Sequence, residues 1–439
     1  MTPAARLQST LELLAEVERT ARPADAVTSA YFRARRHIGD SDRGAILELV
    51  YALLRHRARL GWWLARLRQD DTPRGRLLVW LMLGDGKSPD QLKRLFDGAK
   101  FAPAALSAPE SALVAGLRGR TMLHPDMPDE VRLECPAWAA DPLRRRFGPT
   151  FDAEMAASLL PPPLDLRVNP IKTTRAEVLG DLKRLGLDAE VTPLAPQGIR
   201  VRERFPLARL AGLKTGAVEI QDEGSQLVAA LVDARPGDRV ADFCAGAGGK
   251  TLAMAAGMQG RGRIVACDVS AGRLKRAAER LRGAGLHNTE TRLLTSETDK
   301  WVKRHKGSFD RVLIDAPCAG TGTWRRNPDT RWRPQAETGL DDLLALQARI
   351  FASAARLVRP GGRLVYATCS LLAEENEDQV AAFLAANPGF RPVPVTEAAP
   401  WLAEANDGDF LSLTPARHAT DGFFAAVLTR DPPEATAAG

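Results

Sequence analysis

The chain has 439 residues, of which 45% are hydrophobic and 26% are charged, and its formal net charge is +7. This length is enough for two or three domains with separate cores. No apolar stretch approaches the ~20 residues of a membrane span, and acids near the N-terminus argue against a signal peptide. We therefore expect a cytoplasmic protein, and the positive charge weakly favours a polyanionic partner.

Residues 1–130 are predicted to form an all-helical domain. Apolar residues recur at helical spacing, for example at Ile46, Val50 and Leu53. Arginines crowd this region, and Trp62 and Trp63 lie among them. A phosphate-binding module with stacking aromatic rings and a plain helical bundle with a solvated basic face explain this pattern equally well.

A small α/β subdomain is predicted for residues 131–215. Its elements are a strand at Leu164–Val168, a helix that opens at the capping box Thr174 to Glu177, and a strand at Gly198–Arg202. Arg167 and Asn169 are candidates for RNA contacts, and either could equally be a turn or surface residue.

Residues 216–432 alternate strands and helices, which is typical of a mostly parallel sheet in an α/β fold. Helices are predicted at Ser270–Leu281 and Leu340–Leu357. The tail at residues 433–439 is expected to be disordered. The predicted strands are Arg239–Cys244, Arg263–Val269, Thr289–Leu294, Phe309–Ala316, Arg363–Thr368 and Phe423–Thr429.

A glycine-rich turn, Cys244-Ala-Gly-Ala-Gly-Gly-Lys-Thr251, follows the first of these strands. A P-loop would require glycine at position 244, and a dinucleotide fingerprint would require glycine at position 251. The remaining candidate is the looser glycine turn of S-adenosylmethionine enzymes. Asp268, at the end of the second strand, could accept hydrogen bonds from a ribose or only cap the next helix.

Two cysteines follow predicted strands, since Cys318 comes after Asp315 and Pro317, and Cys369 ends another strand. Ligands of open α/β sheets bind at such carboxyl ends. A thiolate that adds to carbon 6 of a pyrimidine makes carbon 5 nucleophilic, whereas methylation of oxygen or nitrogen needs no thiol. Asp315 could stabilise the adduct through ring N3.

The other three cysteines give no sign of chemistry. Cys244 and Cys267 lie within apolar strands, where a cysteine is commonly a small buried hydrophobe. The chain lacks a Cys-x-x-Cys pair, and its six histidines do not have metal-binding spacing. We therefore expect neither a disulfide framework nor a metal site.

Several motifs resemble the RNA cytosine carbon-5 methyltransferases, and most closely the bacterial ribosomal small-subunit methyltransferase B group. The N-terminal region resembles the NusB-like RNA-binding domain of that group. The matching stretches are Phe243–Thr251, Ala316–Gly322 with Arg325–Asp329, Thr368–Ser370 with Glu374–Asn376, Leu166–Asn169, Ile220–Gln226 and Thr420–Phe424.

The resemblance implies a class I methyltransferase domain that uses S-adenosylmethionine and acts on structured RNA, most closely small-subunit ribosomal RNA. It implies that Cys369 is the nucleophile and that Cys318 assists release of the methylated product. We expect a monomer without a metal. The implied cofactor contacts are Cys244, Ala245, Gly246, Ala247, Gly248, Gly249, Lys250, Asp268, Arg273, Ser296 and Asp315.

Two departures from the family pattern stand out. Ala247 replaces a usual proline, and the acid expected near the adenine after the third strand has no secure counterpart, so Ser296 or Glu297 is the candidate. Arg325, Arg326 and Arg331 could contact RNA phosphates or be surface residues.

Two alternatives remain: a tRNA methyltransferase, and a non-catalytic RNA-binding assembly factor that keeps the fold. Retention of both Cys318 and Cys369 argues against the second.

Overall fold

The computed structural model describes residues 1–202, 205, 207–333, 339–403 and 408–432, without the side chain of residue 208. The chain forms two compact units. The first, here the helical unit, comprises Met1–Pro161 and Trp324–Pro334, and the second, here the sheet unit, comprises Pro162–Thr323 and Gln335–Gly439. Among the described residues, no helix has both the length and the apolarity that crossing a bilayer requires.

The helical unit is built from short capped helices. The side chains of Thr2, Thr72, Ser88 and Ser107 each accept a hydrogen bond from a backbone N–H in the first turn of the helix that follows them. The helices are α1 Pro3–Glu18, α2 Ala24–Ala34, α3 Asp40–Arg55, α4 Arg57–Arg66, α5 Pro73–Leu83, α6 Pro89–Leu95, α7 Ala108–Gly116, α8 Asp129–Arg132, α9 Ala137–Phe147, α10 Phe151–Ala157 and, from the returning segment, α17 Pro328–Arg331.

The position of Trp63 bears on whether the helical unit is a plain bundle or a phosphate-binding module with stacking aromatic rings. Its ring is fully buried in the hydrophobic core, and its indole N–H donates to the carbonyl of Met122 at 3.0 Å. Trp62 is only partly buried, and Arg66 lies over its ring. Trp63 therefore serves the core of a helical bundle, as the simpler of the two interpretations requires.

The sheet unit begins with a four-stranded antiparallel sheet of order β2-β3-β1-β4. Its predicted capping box is present, because Thr174 Oγ1 accepts from the N–H of Glu177 while Glu177 accepts from the N–H of Thr174. The elements are β1 Leu164–Val168, α11 Arg175–Arg184, β2 Ala189–Val191, β3 Gly198–Val201, α12 Ala211–Thr215 and β4 Val218–Ile220.

An eight-stranded sheet follows, in the order β10-β12-β9-β8-β5-β6-β7, with β11 paired to β12. Strands β5 to β9 run parallel to one another, and β12 pairs antiparallel with β9. The strands are β5 Arg239–Asp242, β6 Arg263–Asp268, β7 Thr289–Leu293, β8 Phe309–Asp315, β9 Val358–Thr368, β10 Phe390–Val393, β11 Leu411–Leu413 and β12 Phe423–Arg430.

Helices cover this larger sheet, and its interior is made of aliphatic strand residues such as Val240, Ile264 and Leu313. This is the predicted α/β fold, a mostly parallel sheet with an antiparallel last strand. The helices of this part are α13 Glu223–Leu231, α14 Gly249–Gly257, α15 Ala271–Gly283, α16 Lys300–Arg304, α18 Gly339–Ala355, α19 Glu377–Ala386, α20 Val395–Ala398 and α21 Pro415–His418.

The packing places the domain boundaries differently from the sequence prediction. Residues 131–161 belong to the helical unit, and so does Trp324–Pro334, which the prediction assigned to the catalytic domain. The small sheet also extends beyond residue 215, where the predicted subdomain ended, because β4 pairs with β1. The tail at residues 433–439 lies outside the described residues.

Candidate active site

A cavity of about 490 Å³ lies where β5, β6 and β8 end. It combines the glycine turn with acids from three strand ends and with apolar residues of α18. Its lining residues are Ser225, Asp242, Phe243, Cys244, Ala245, Gly246, Ala247, Gly249, Lys250, Asp268, Val269, Arg273, Leu294, Glu297, Asp315, Pro317, Leu346 and Ile350. Most of the predicted cofactor contacts are therefore on one wall.

The glycine turn has the backbone shape that its sequence predicts. Gly246 and Gly248 both have positive φ, 55° and 80°. A Cβ at Gly248 would also lie 3.0 Å from the Cβ of Ala277 on α15, so this glycine allows the turn to pack against a helix. Gly248 does not line the cavity.

Asp268 makes the helix-start contact considered for it, and its ribose role stays a prediction. Its Oδ1 accepts from the N–H of Ser270 at 2.7 Å, near the start of α15, and its Oδ2 accepts from the N–H of Gly246 at 2.9 Å. The carboxylate therefore ties the glycine turn to the end of β6 while it lines the cavity.

Of the two candidates after the third strand, Glu297 lies at the cavity and Ser296 does not. Glu297 lines the cavity, and its Oε1 accepts from Arg349 Nε at 2.8 Å, which lowers the pKa of this carboxyl. Ser296 is not part of the cavity wall, and its hydroxyl lies 3.1 Å from that of Thr298. The geometry thus favours Glu297.

Lys250 and Asp315 form an ion pair at the cavity wall, with Lys250 Nζ 2.7 Å from Asp315 Oδ2. Burial works to lower the pKa of Lys250, but the charge of Asp315, its hydrogen bond and the charge of Cys369 outweigh burial, so the pKa is raised. Lys250 is therefore a buried cation that responds to both Asp315 and Cys369.

Asp242 is the most deeply buried acid of the wall, with no exposed surface. Its Oδ2 accepts from Thr251 Oγ1 at 2.6 Å, and its Oδ1 has no hydrogen-bond partner among the described residues. Burial raises the pKa of this carboxyl to about 7, and the nearby charges of Asp315 and Asp268 act in the same direction. An orphan acceptor at a cavity wall is suited to a donor group of a ligand.

The two predicted cysteines lie side by side, with their Sγ atoms 3.4 Å apart. Both side chains are partly buried, and Pro317, next to Cys318, lines the cavity. The hydrogen bond to Cys369 raises the pKa of the Cys318 thiol well above its usual range, and burial and the charge of Cys369 add to this. The Cys318 thiol therefore keeps its proton to a higher pH than an ordinary cysteine does.

Two loops carry these cysteines, and direct hydrogen bonds join the loops. Gly322 N–H donates to the carbonyl of Cys369 at 3.0 Å, Thr321 Oγ1 lies 3.1 Å from Ser370 Oγ, and Leu371 N–H donates to Thr321 Oγ1 at 2.7 Å. These contacts bring together two sequence motifs that are about 50 residues apart, as the strand-end argument predicted.

Two of the predicted RNA contacts are committed to the interior of the sheet unit. Arg167 is 6% exposed and donates to Gln221 Oε1 at 2.7 Å and to the carbonyl of Gly249 at 2.8 Å. Asn169 is 4% exposed and donates to the carbonyl of Gly216 at 3.0 Å. Asn169 also donates to the carbonyl of Ala284 at 3.4 Å, so both residues join the small sheet to the larger one and neither presents a donor to RNA.

The arginines after the Cys318 loop also differ from the expectation. Arg331 has no exposed surface and donates to the carbonyl of Glu134 and to Ser158 Oγ inside the helical unit. Arg325 is 4% exposed, and Arg326 is half-buried. A guanidinium without exposed surface cannot reach a phosphate of bound RNA, so Arg331 is a structural residue.

Two family models match this chain. The model described as 16S rRNA methyltransferase RsmB/F matches residues 229–429, and the ferredoxin-like domain model of RsmF/B-like methyltransferases matches residues 135–208. The chain belongs to the RsmB/F family.

Similar proteins agree with this assignment. The ribosomal RNA small subunit methyltransferase B of Photorhabdus laumondii is 29% identical over 91% of this chain and 93% of its own length. A probable enzyme of the same name from Synechocystis is 37% identical, over 61% of this chain and 60% of that protein. The solved structure of PH0851, 23% identical, covers 98% of this chain and 99% of its own with a TM-score of 0.81, which shows the shared fold.

RsmB/F enzymes take their methyl group from S-adenosylmethionine, and this cavity suits that cofactor. Its volume is within the ~300–1,000 Å³ of ordinary small-molecule sites. Its wall carries the carboxyl groups of Asp242, Asp268, Glu297 and Asp315, whose oxygens can accept hydrogen bonds from the ammonium and hydroxyl groups of that cofactor. The unpartnered Oδ1 of Asp242 offers an acceptor to such a donor.

Three further residues of the site had no individual role in the sequence analysis. Gln347, Glu375 and Asn376 have no exposed surface, and their side chains bond to the two cysteine loops. Glu375 and Asn376 belong to a motif that carried the resemblance, but their partners are far away in sequence. Gln347 lies on α18, whose apolar periodicity gave no sign of a polar role.

Proposed function

We propose that this RsmB/F enzyme methylates carbon 5 of a cytidine in 16S rRNA, with Cys369 as nucleophile and Cys318 as the residue that allows product release. The observation that supports this most is the 3.4 Å separation of the two Sγ atoms beside an acid-lined cavity. Methylation of oxygen or nitrogen would leave two adjacent thiols without a role.

Cys369 would act as a thiolate and form a bond from its sulfur to carbon 6 of the cytosine. Two neighbours favour that thiolate: the cation Lys250, whose pKa responds to the charge of Cys369, and the protonated Cys318, whose thiol can donate to it. Because Cys318 is the hydrogen-bond donor of the pair, we assign Cys369 as the nucleophile.

Adduct formation places electron density on carbon 5, which then takes the methyl group. When bound, S-adenosylmethionine supplies that group as an electrophile. A proton taken up from solvent at ring N3 neutralises the negative charge that the adding thiolate brings into the ring. Asp315, partly exposed at the cavity wall and paired with Lys250, would accept a hydrogen bond from that N3–H and so stabilise the adduct.

Release requires two bonds to break. The carbon 5 proton leaves to a base, and its electron pair expels the Cys369 sulfur from carbon 6, which restores the aromatic ring. Cys318 lies against the Cys369 sulfur, whose charge and hydrogen bond raise the pKa of Cys318 in the free enzyme. Once that sulfur is bonded to carbon 6 this charge is gone, so Cys318 can lose its proton to solvent and then take the carbon 5 proton as the base. The enzyme would act in the cytoplasm, and the helical unit, with Arg326 as a remaining candidate, would hold the surrounding RNA.

The experiment that tests this function supplies purified 16S rRNA and, separately, tRNA with methyl-labelled S-adenosylmethionine, followed by bisulfite sequencing. We expect label at one 16S cytidine, and loss of activity by at least roughly 10³-fold in Cys369→Ala. Cys135→Ala, which removes a buried thiol of the helical unit, is the matched control and should stay active.

Other outcomes would overturn parts of this proposal. Label on tRNA alone would change the substrate. Undiminished methylation by Cys369→Ala would remove the nucleophile assignment, and RNA binding without any methylation by the wild-type protein would favour an assembly factor.

A further inference from the structure

Two consecutive residues, Glu375 and Asn376, lie between the cysteine loops at the start of α19. Both side chains are fully buried, and the mechanism above gives neither a role. One residue contacts the loop of Cys318, and the next contacts the loop of Cys369.

Glu375 holds the Cys318 loop on both sides of the cysteine. Its Oε1 accepts from the N–H of Ala319, the residue after Cys318, at 2.8 Å. The same oxygen accepts from Gln347 Nε2 at 2.9 Å, and this amide also donates to the carbonyl of Pro317, the residue before Cys318, at 2.9 Å. Gln347 and Glu375, which are hydrogen-bonded to each other, therefore fix the backbone on both sides of Cys318.

Asn376 holds the Cys369 loop in the same way. Its Oδ1 accepts from Thr368 Oγ1, before Cys369, at 2.5 Å, and its Nδ2 donates to the carbonyl of Ser370, after Cys369, at 2.9 Å. Thr368 Oγ1 also accepts from the N–H of Ser370 at 3.1 Å, so the turn at Cys369 is fixed by one amide and one hydroxyl.

A single peptide bond joins Glu375 to Asn376, so the two loops cannot separate unless one of these sets of hydrogen bonds breaks. We propose that Glu375 and Asn376 are positioning residues that set the spacing of the two thiols, with Gln347 completing the Glu375 side. The importance of this spacing for catalysis depends on the function proposed above, whereas the spacing itself can be measured without RNA.

The unpaired atoms of this cluster indicate its charge state. Glu375 Oε2 and Gln347 Oε1 are buried acceptors without partners among the described residues. Burial is the main cause of the raised pKa of Glu375, and a proton on Glu375 would give Oε2 a hydrogen to donate. Glu375→Gln keeps an acceptor and adds a neutral donor, so it should preserve the spacing, whereas Glu375→Ala should not.

The first test measures the spacing with the oxidant diamide, which takes the two thiol hydrogens as it joins the sulfurs in a disulfide. We expect rapid formation of the Cys318–Cys369 disulfide in the wild-type chain and in Glu375→Gln, detected by peptide mapping. Glu375→Ala and Asn376→Ala should form it about tenfold more slowly, because loose loops lower the effective concentration of one thiol at the other. Glu397→Ala and Asn387→Ala are matched controls that should react at the wild-type rate.

The second test separates the two residues by catalytic step. Glu375→Ala, which frees the Cys318 loop, should keep single-turnover methyl transfer within about tenfold and accumulate a covalent RNA adduct on a denaturing gel. Asn376→Ala, which frees the Cys369 loop, should lower adduct formation itself, and combining it with Cys318→Ala should leave little adduct.

The outcomes distinguish this inference from the proposed function. Wild-type disulfide rates in both alanine variants would refute the positioning role, as would equal loss of every step in Glu375→Gln and Glu375→Ala. Slow disulfide formation in the alanine variants, combined with no RNA adduct in any variant, would keep the spacing inference and refute the proposed chemistry.

Discussion

At the scale of single residues, the two cysteines of the site are chemically unequal although they are adjacent. The hydrogen bond to Cys369 raises the pKa of Cys318, and Lys250 is a cation that responds to the charge of Cys369. The Cys318 thiol is thus suited to donate a hydrogen bond to the Cys369 sulfur. The sequence alone could not assign these roles, since both cysteines follow strand ends.

Asp242 gives a prediction about pH. Its folded pKa is about 7 and its ordinary value is 3.8, so between these values the folded chain keeps a proton that the unfolded chain has lost. The contribution of Asp242 to the free energy of unfolding is therefore complete below about pH 4 and is lost as the pH rises to 7. Asp242→Asn should therefore gain stability over the wild type from pH 5 to pH 8, on the order of 2–4 kcal/mol.

Thermal unfolding of the cofactor-free protein at the two pH values checks this. Asp299→Asn is the control of opposite sign, because backbone hydrogen bonds from Thr295 and Trp301 lower the pKa of Asp299 to about 2. Its effect on stability should be the same at pH 5 and pH 8, since both lie above its titration. An equal effect of Asp242→Asn at the two pH values would contradict the raised pKa.

The sequence correctly predicted which residues lie close together where they are placed at the carboxyl ends of neighbouring strands. Cys318, Cys369, Asp268 and Asp315 all follow strands of one parallel sheet, so they converge. It failed for Arg167 and Arg331, because no local pattern shows that an arginine will be buried against carbonyls that are distant in sequence.

At the scale of elements, the site depends on a close approach of two backbones. Gly422 N–H donates to the carbonyl of Gly322 at 2.8 Å, and a Cβ on Gly322 would lie 2.3 Å from the carbonyl oxygen of Gly422. The turn before β12 therefore packs directly on the Cys318 loop, which requires glycine in both.

Gly322→Ala should destabilise the sheet unit by about 1–3 kcal/mol and disturb the cysteine loops, because the clash is with backbone and not with a movable side chain. Urea unfolding followed by circular dichroism measures this. The control is Gly272→Ala in α15, where the new Cβ meets nothing within 4 Å and should stabilise the protein by about 0.5–1 kcal/mol. Equal stability of the two variants would contradict the close packing.

Most long elements were predicted within a few residues, and so were the four-residue strands β3 and β5, whereas four other short strands were missed. Strands β2, β4, β10 and β11 have three or four residues, too few to show a period, and are fixed by pairing with longer neighbours. β9 starts at Val358 rather than Arg363, because the Pro360-Gly-Gly stretch lies within the strand despite its turn-like composition.

At the scale of the whole molecule, the helical unit is not one continuous piece of chain. Trp324–Pro334 returns to it from the sheet unit, and the side chain of Arg331 is fully buried there, with its guanidinium 4.6 Å from the centre of the Trp324 ring. Burial lowers the pKa of Arg331 to about 10. The sequence of this segment does not show that it packs in the helical unit, because the partners of Arg331 lie almost 200 residues earlier in the chain.

Arg331→Ala should therefore destabilise the helical unit by about 2–4 kcal/mol, since the carbonyl of Glu134 and the hydroxyl of Ser158 lose their buried donor. Urea unfolding followed by tryptophan fluorescence measures the change. Arg276→Ala, on the exposed side of α15, should change stability by less than ~0.5 kcal/mol. A similarly small effect of Arg331→Ala would mean that the returning segment is not part of the helical core.

The central claim is that sulfur from Cys369 bonds to the RNA base before methylation, and that Cys318 is needed to break that bond. Incubation of Cys318→Ala with 16S rRNA and S-adenosylmethionine, followed by a denaturing gel, tests it most directly. We expect a slow-migrating protein–RNA band that disappears when Cys369→Ala is added to the same chain. Methylation at the wild-type rate by Cys318→Ala, without any such band, would contradict the claim.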